Sequence, residues 1–562
     1  MSAAAIIAAS VGLIPGVANA AEPVAEPVGP KVSAPDVDLT EVAESKFKTF
    51  KSPAEKSVRT TLPAAKNKAA APLAEGAVAG NPNLSTALTT KSTSAHGLEL
   101  VTDIISEAAQ LTVTVEWGDG QSDVAYASGA GPLTFKHVYA ELGEYPIKVT
   151  LVDSTNNVKS EHPLPYGTAG SDFTPYAPTR LLDTREGIGA PTGKVPGRGE
   201  TRVKIAGNGG IPEGVTAVAL NVTVTNPASS GYITAYPGDT DRPTSSNVNF
   251  TAGQTVPNMV IVPVGKDGYV NLYNGSWNVG DSVDLIADVT GYFSQKASSG
   301  YTPMDPVRFV DTREGLGTSR GQVPARGKFT TQISGLNGVP SGITAVALNV
   351  TVTEPRSSGF LSVLPGGQSN PSVSNLNFNA GDTIANSVIV PVSADGKITI
   401  VNGSWGGATD VVIDVVGSYS QESTGAYVPL EPFRWLDTRD PEDWYHGALK
   451  GGYFKWVPFS PSPEDDGVSG YILNATATNT ANNGYLSVAP DPYSFEARNN
   501  GTAGDTYAPG SSTLNWTRGK TVPNLVQAAA GEHGVVDFFN QSWEEWATTD
   551  LVVDIFGYYE ND

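Results

Sequence analysis

The chain repeats itself, and the step of that repeat limits its fold more than any other feature. "RLLDTREGIG" at 180–189 returns as "RFVDTREGLG" at 308–317 and as "RWLDTRDPED" at 434–443. Other landmarks keep the same step. "TAVALNVTVT" stands at 216–225 and 344–353, with the counterpart "GYILNATATN" at 470–479. "SNVNF" (246–250) becomes "SNLNF" (374–378) and "STLNW" (512–516). "NGSW" (274–277, 402–405) becomes "NQSW" (540–543), and "DLIADVTGYF" (284–293) becomes "DVVIDVVGSY" (410–419) and "DLVVDIFGYY" (550–559). A solenoid unit is much shorter than this period, which is the size of one small independent domain. Three domains of one type are expected, over 172–296, 300–421 and 424–562.

Within a copy the text reads strand after strand. Val218, Leu220, Val222 and Val224 fall on one face, and Asn221, Thr223 and Thr225 on the other. That alternation predicts a half-buried antiparallel strand. Glycines (61) and prolines (41) punctuate short apolar runs, and no long stretch keeps a 3.6-residue period. The expected class is all-β: tandem β-sandwich domains, each repeat a sandwich or a closed barrel.

The region before the repeats divides in three. "AAAIIAASVGLIPGVANA" is a short run of apolar and small residues ending in Ala-Asn-Ala, as in a secretory signal, although a basic start is missing. A signal at 1–20 is expected, hence an exported protein. Residues 21–84 are rich in Ala, Pro, Lys and Glu and predict a disordered linker. Its central lysines and arginine (Lys46, Lys48, Lys51, Lys56, Arg59, Lys66, Lys68) read as a solvated tether or as a segment that adheres to an anionic envelope. From 85 to 168 the alternation of strands returns: Leu111, Val113, Val115 and Trp117 share a face, as do Ile147, Val149 and Leu151. "WGDG" (117–120) and "HVYAELGEYPIKVTLVD" (137–153) resemble the PKD domain, a seven-stranded β-sandwich of extracellular proteins. The resemblance implies a spacer or interaction module. Asp119 in the Gly-Asp-Gly turn reads as a turn residue bonding its own backbone, with calcium the alternative.

The three later copies resemble a repeat of secreted Gram-positive proteins, with the text P-x-R-x-x-D-T-R, then L-N-V-T-V-T, then S-N-x-N-F, then D-V-x-G-Y-F. Such repeats accompany cell-wall hydrolases and other exported domains. The resemblance implies an accessory role at the cell surface and no chemistry of its own.

The Asp-Thr-Arg motif has the look of an active loop, but its recurrence in step with strand landmarks favours scaffold. Each copy carries another acid inside its apolar last strand: Asp288, Asp414 and Asp554. A carboxylate there is costly unless paired. Structural ion pairs are therefore expected among Arg180, Asp183, Arg185 and Asp288; among Arg308, Asp311, Arg313 and Asp414; and among Arg434, Asp437, Arg439 and Asp554. Arg185 is the residue singled out to partner the last-strand acid. The Asn-x-Ser/Thr sequons at Asn221, Asn349 and Asn474 lie on the alternating strand, and Asn274 and Asn402 in the "NGSW" turns; all read as strand and turn residues.

The third copy departs most. It loses the "EGxG" closure, gains "DPEDWYHGALKGGYFKW" (440–456) and holds six of the nine tryptophans. Trp516 replaces a phenylalanine and Trp543 recurs in the Asn-x-Ser-Trp landmark, so both are expected to be structural. Trp444, Tyr445, Trp456 and Trp546 have no counterpart. They either fill a looser core or interdomain contact, or form a face for sugar, since pyranose C–H faces pack on aromatic rings.

Other chemistry finds little support. With no cysteine, thiolate catalysis and cysteine-held zinc are excluded. The five histidines share no repeated position and no metal-ligand spacing. A net charge of −22 opposes a nucleic-acid partner. No later stretch reads as a transmembrane helix. No cofactor and no metal are expected. The sequence points to a secreted, non-catalytic protein for binding or display at the bacterial cell envelope, with an envelope polysaccharide or surface protein as partner. On that reading the N-terminal domain and first two repeats set reach, and the third repeat carries specificity. A purely structural matrix protein and a cell-wall hydrolase are the alternatives.

Overall fold

The computed structural model describes residues 80–562 apart from 108, 169, 370, 372, 461–466 and 562, together with the backbone of two short strands, Val24–Ala25 and Val58–Thr61. The expected signal (1–20), the linker lysines and Arg59's side chain lie outside the described residues. The protein is all-β and built of tandem β-sandwiches; the helix Phe495–Asn500 is the only one among the described residues.

The N-terminal sandwich has one sheet in the order Ser85–Ser94, Gly97–Ile105, Gly131–Val138. The facing sheet runs Val58–Thr61, Val158–Gly167, Glu144–Asp153, Gln110–Glu116, Ser122–Ser128. Its core closes on Trp117, 0% exposed and stacked on His137 at 4.7 Å. Asp119 accepts the Gln121 backbone N–H at 2.9 Å, and its other oxygen lies 2.9 Å from His137 Nε2, so its carboxylate is already occupied.

Each repeat is a sandwich rather than a closed barrel. In the first, one sheet runs Asp172–Asp183, Asp284–Ser294, Val215–Thr225, Val256–Pro263. The other runs Glu200–Lys204, Tyr269–Asn274, Gly231–Pro237, Val248–Phe250, and every pairing is antiparallel. The second and third repeats keep this order. Val218, Leu220, Val222 and Val224 face the core between the two sheets.

The polar face of that strand is not wet. Ala217, Ala219, Asn221, Thr223 and Thr225 are buried as well, so the strand is buried on both faces instead of half-buried. The cover comes from the other repeats. Asn221 Nδ2 donates to Ser374 O in the second repeat at 2.7 Å, and Asn386 Nδ2 donates back to Asn221 Oδ1 at 3.1 Å. Asn349 donates to Ser512 O in the third repeat, and Asn524 Nδ2 returns a bond to Asn349 Oδ1 at 3.0 Å. Asn474 Nδ2 then donates to Ser246 O in the first repeat at 2.7 Å, and Asn258 Nδ2 reaches Asn474 Oδ1 at 3.2 Å. The contacts go first to second, second to third and third back to first. The three repeats close into a pseudo-threefold head; they are not strung out to set reach. An amide buried without partners costs about 1–3 kcal/mol, which is why each asparagine of this face is paired.

Aromatic rings close around the same axis. Phe173 lies 4.4 Å from Tyr419, Tyr419 4.9 Å from Tyr301, and Tyr301 4.2 Å from Tyr559. Tyr559 lies 5.7 Å from Tyr427, Tyr427 4.6 Å from Phe293, and Phe293 5.1 Å from Phe173. Each first-strand ring packs against a last-strand glycine: Phe173 on Gly291, Tyr301 on Gly417, Tyr427 on Gly557. A Cβ at any of the three would enter the ring, which explains the glycine in the recurring Asp-x-x-Gly ending.

The N-terminal sandwich sits on the end of the head where the last strands finish. Leu142 N–H donates to Gln295 O, Ala297 N–H to Ala140 O, and Ala95 N–H to Ser423 O. His96 Nε2 lies 3.2 Å from Asp172 Oδ2 in the same junction, both side chains 4% exposed.

Candidate functional site

The Asp-Thr-Arg cluster is internally satisfied. Arg180 Nε donates to Asp288 Oδ1 at 2.9 Å while its Nη1 reaches Asp183 Oδ2 at 3.1 Å. Arg185 closes a fork on Asp183, with Nε to Oδ1 at 2.9 Å and Nη2 to Oδ2 at 2.7 Å. The second repeat repeats this with Arg308, Asp414, Asp311 and Arg313, and the third with Arg434, Asp554, Asp437 and Arg439. The partner of the last-strand acid is thus the first arginine of the motif, not Arg185 as singled out from sequence. A β-bulge after Arg180 breaks the register of the first strand and lays Arg180 directly beside Asp288.

The threonine is used too. Thr184, Thr312 and Thr438 hydroxyls accept the backbone N–H of Leu285, Val411 and Leu551. The clusters also touch the neighbouring repeat, since Asp554 accepts the Ser246 N–H at 3.3 Å and Arg308 donates to Gly510 O at 2.7 Å. The Arg185 fork, against the opposing effect of burial, holds the Asp183 carboxyl below its usual range. Burial pushes Asp288, Asp414 and Asp554 up, and the arginine beside each opposes it. The loss of "EGxG" in the third copy has a local reason. In the first two copies Ile188 O and Leu316 O accept the N–H of Asp183 and Asp311, whereas in the third the Asp443 carboxylate accepts that of Asp437 at 2.8 Å.

The four aromatics of the third repeat do not line one exposed face. Trp456 is 2% exposed, in a cluster with Phe454, Val535 and Phe539 beneath Phe495. Tyr445 is half-buried 5.5 Å from Trp456, and half-buried Trp444 packs on the repeat's core. Only Trp546 is exposed, at 62%. The cover over Trp456 is a strap of this repeat alone, around the helix Phe495–Asn500, capped by Ser494 and Gly501. Under it Arg498 grips Asp491 through Nε at 2.6 Å and Nη2 at 2.9 Å. The neighbouring Asp537 is 0% exposed and shares its burial with the Asp491 carboxyl. Burial, together with the Asp491 charge, raises the Asp537 carboxyl well above the usual range.

The exposed aromatic site lies elsewhere. Trp277, Trp405 and Trp543 are 79%, 82% and 76% exposed. Trp543, expected to be structural, faces water instead, whereas Trp516 is buried at 4%. Each exposed indole follows a buried Asn-x-Ser anchor. Asn274 Nδ2 donates to Val195 O at 3.1 Å and Asp281 O at 3.0 Å, and its Oδ1 accepts the Ser276 N–H at 3.1 Å. Asn402 does the same with Val323 O, Gly407 O and Ser404 N–H, and Asn540 with Leu449 O, Ala547 O and Ser542 N–H. The sequence signal for these asparagines was present; that for the tryptophan was misleading, because a recurrent large apolar residue usually means core.

These turns occupy one end of the head. Each precedes a last strand, Asp284–Ser294 in the first repeat, whose far end meets the N-terminal sandwich. Eleven residues of strand place the turns about 35 Å from that junction. The pseudo-threefold repeats one tryptophan three times at that remote end. Polar and charged groups flank them: Asn278 and Asp281 in the first, Arg326 4.6 Å from the Trp405 ring, Glu544 and Glu545 beside Trp543. No group of three or more metal-ligating side chains occurs among the described residues, nor any helix long and apolar enough to cross a membrane.

No protein-family model matches the chain, and no curated protein matches it. Among solved structures it is similar to carbohydrate-binding modules of the β-sandwich superfamily, at 12% identity over 38% of this chain and 96% of that one, with a TM-score of 0.13. A SusE-like protein matches at 10% identity over 37% of this chain and 96% of that one, TM-score 0.12. A tetra-tandem repeat from the extending region of a large adhesion protein matches at 11% identity over 84% of this chain and 95% of that one, TM-score 0.14. At such scores none of them bears on what this chain binds.

Proposed function

We propose that this chain is an exported, non-catalytic binding and display protein of the bacterial cell envelope, and that its three-repeat head holds a glycan through Trp277, Trp405 and Trp543. One observation carries the reading: the same tryptophan stands in solvent on all three repeats, each on a turn fixed by a buried asparagine. Leaving such a side chain in water forgoes about 1.5–3 kcal/mol of burial at each position. Folding alone gives no reason to forgo it three times.

The geometry suits a sugar. An indole face accepts the C–H face of a pyranose, while the flanking Asn278, Asp281, Glu544 and Glu545 offer partners to hydroxyls. Turns fixed before binding lose little conformational entropy on binding, and three sites on one body gain by multivalency. The net charge of −22 favours a neutral or cationic glycan over a polyanion. Export and envelope residence rest on the signal-like residues 1–20 and on the resemblance of the repeats.

Retention of the full chain on purified cell-wall polysaccharide tests this. The wild type should be retained, and the triple Trp277→Ala, Trp405→Ala, Trp543→Ala variant should pass through with its melting temperature unchanged. Equal retention of the two would overturn the assignment of the site.

A further inference from the structure

A β-sheet edge offers unpaired backbone donors and acceptors to any other strand, and proteins usually guard such edges with short strands, prolines or charged side chains. This chain guards nearly all of its own. The outermost strands Val248–Phe250, Leu376–Phe378 and Leu514–Trp516 are three residues long. Asp172–Asp183, Gly131–Val138, Val256–Pro263, Ile384–Pro391 and Val522–Ala529 contain proline. Ser85–Ser94, Glu200–Lys204 and Lys328–Gln332 contain lysine or arginine. The far edge of the N-terminal sandwich is extended by the chain's own strand Val58–Thr61, paired antiparallel with 158–161.

One described edge carries the weakest guard, a single acid. Ser122–Ser128, "SDVAYAS", is seven residues long, has a neighbour on one side only, and contains neither proline nor a basic residue. Its single charge, Asp123, is exposed but tied down, since its Oδ2 accepts the Trp117 indole N–H at 2.9 Å. On the outward face Val124 is 56% and Tyr126 76% exposed.

We propose that this edge is where two copies of the chain join, antiparallel, into one continuous sheet. The strand is self-complementary about Ala125. A twofold there pairs all seven residues, setting Ser122 against Ser128, Asp123 against Ala127 and Val124 against Tyr126 of the second copy. The two Asp123 carboxylates do not oppose each other. The Val124–Tyr126 pair forms twice on the outer face, and β-branched residues opposite aromatics are favourable cross-strand partners. Neither Val124 nor Tyr126 is among the residues packed on the sandwich core, which is built from the opposite face through Ala125 and Ala127. Joining here would leave the remote end of each three-repeat head free.

Sedimentation equilibrium of the full chain over a concentration series reads the outcome. The wild type should shift from monomer to dimer as concentration rises. The double variant Val124→Lys, Tyr126→Lys should stay monomeric at the highest concentration, with an unchanged melting temperature because both side chains face solvent. Val138→Lys, at a 63% exposed position elsewhere on the same sandwich, should dimerise like the wild type. A wild type that remains monomeric throughout, a double variant that still dimerises, or a Val138→Lys variant that fails to dimerise would each overturn the proposal.

Discussion

Two landmarks of this chain recur three times in step, and they do opposite things. Asp-Thr-Arg, charged and flanked by glycines, has the composition of a reactive loop, yet both Asp183 oxygens, the Thr184 hydroxyl and all three Arg180 guanidinium nitrogens bond within the protein itself. Asn-x-Ser-Trp has the composition of a core corner, yet its tryptophan is held out in water. The comparison teaches that recurrence marks a position as needed and leaves open for what. The discriminating quantity is cost. The buried acids are costly and repaid locally by arginine, while the exposed indoles stand mostly in water, with Arg326 over the Trp405 ring as the contact the fold gives back.

The sharpest way to break this contrast is to remove an arginine. Arg308→Ala leaves Asp414, 1% exposed at its side chain, buried without its partner, and should destabilise the head by about 3–5 kcal/mol in thermal or denaturant unfolding. Arg313→Ala should cost less, because Asp311 keeps Arg308 at 3.3 Å. If Arg308→Ala melts like the wild type, the cluster is not scaffold and its resemblance to a reactive loop must be taken seriously again.

Next in size is the seam between repeats. Asn349→Ala strips Ser512 O and the Asn524 amide of a partner across the second and third repeats, and should cost about 1–3 kcal/mol in denaturant unfolding. A cost indistinguishable from that of an exposed asparagine would mean the repeats are strung rather than closed.

The seam also shows where the sequence stops being legible. The step of the repeat, the strand at 216–225 and the apolar face of Val218, Leu220, Val222 and Val224 are all local patterns, visible within ten residues. The burial of Asn221 depends on Ser374 and Asn386, more than 150 residues away, and alternation reads any polar face as wet. The same blindness affected the aromatics. Trp456 reads as part of an exposed face because nothing local announces the strap that covers it. Trp543 reads as structural in the sequence because a repeated apolar residue nearly always is.

A smaller effect, graded with pH, belongs to the strap of the third repeat, which the other two repeats lack. The Asp537 carboxyl is pushed well above its usual value by burial and by Asp491. The folded chain therefore keeps a proton that the unfolded chain releases once pH passes about 4. Stability is fully present below that pH and declines as pH rises toward the folded value. Asp537→Asn removes the slope. Its melting temperature should exceed that of the wild type at pH 8 by more than at pH 4, and a difference independent of pH would show that Asp537 is ionised in the fold.

The smallest expected effect on stability is the most telling for function. Trp277, Trp405 and Trp543 touch water, so each alanine substitution should stay within about 0.5 kcal/mol of the wild type. Binding should respond otherwise. If the three turns engage one polysaccharide together, each single substitution should weaken retention by more than a third, because losing one contact also lowers the effective concentration at the other two. Retention that falls in three equal, independent steps would instead mean that each repeat binds alone and that closing the head around its axis serves stability only. Trp546, 62% exposed but present on the third repeat alone, separates these outcomes further. Trp546→Ala should leave the avidity shared by the three turns intact and, at most, change the preference of one turn among sugars, which a panel of defined wall oligosaccharides would read directly.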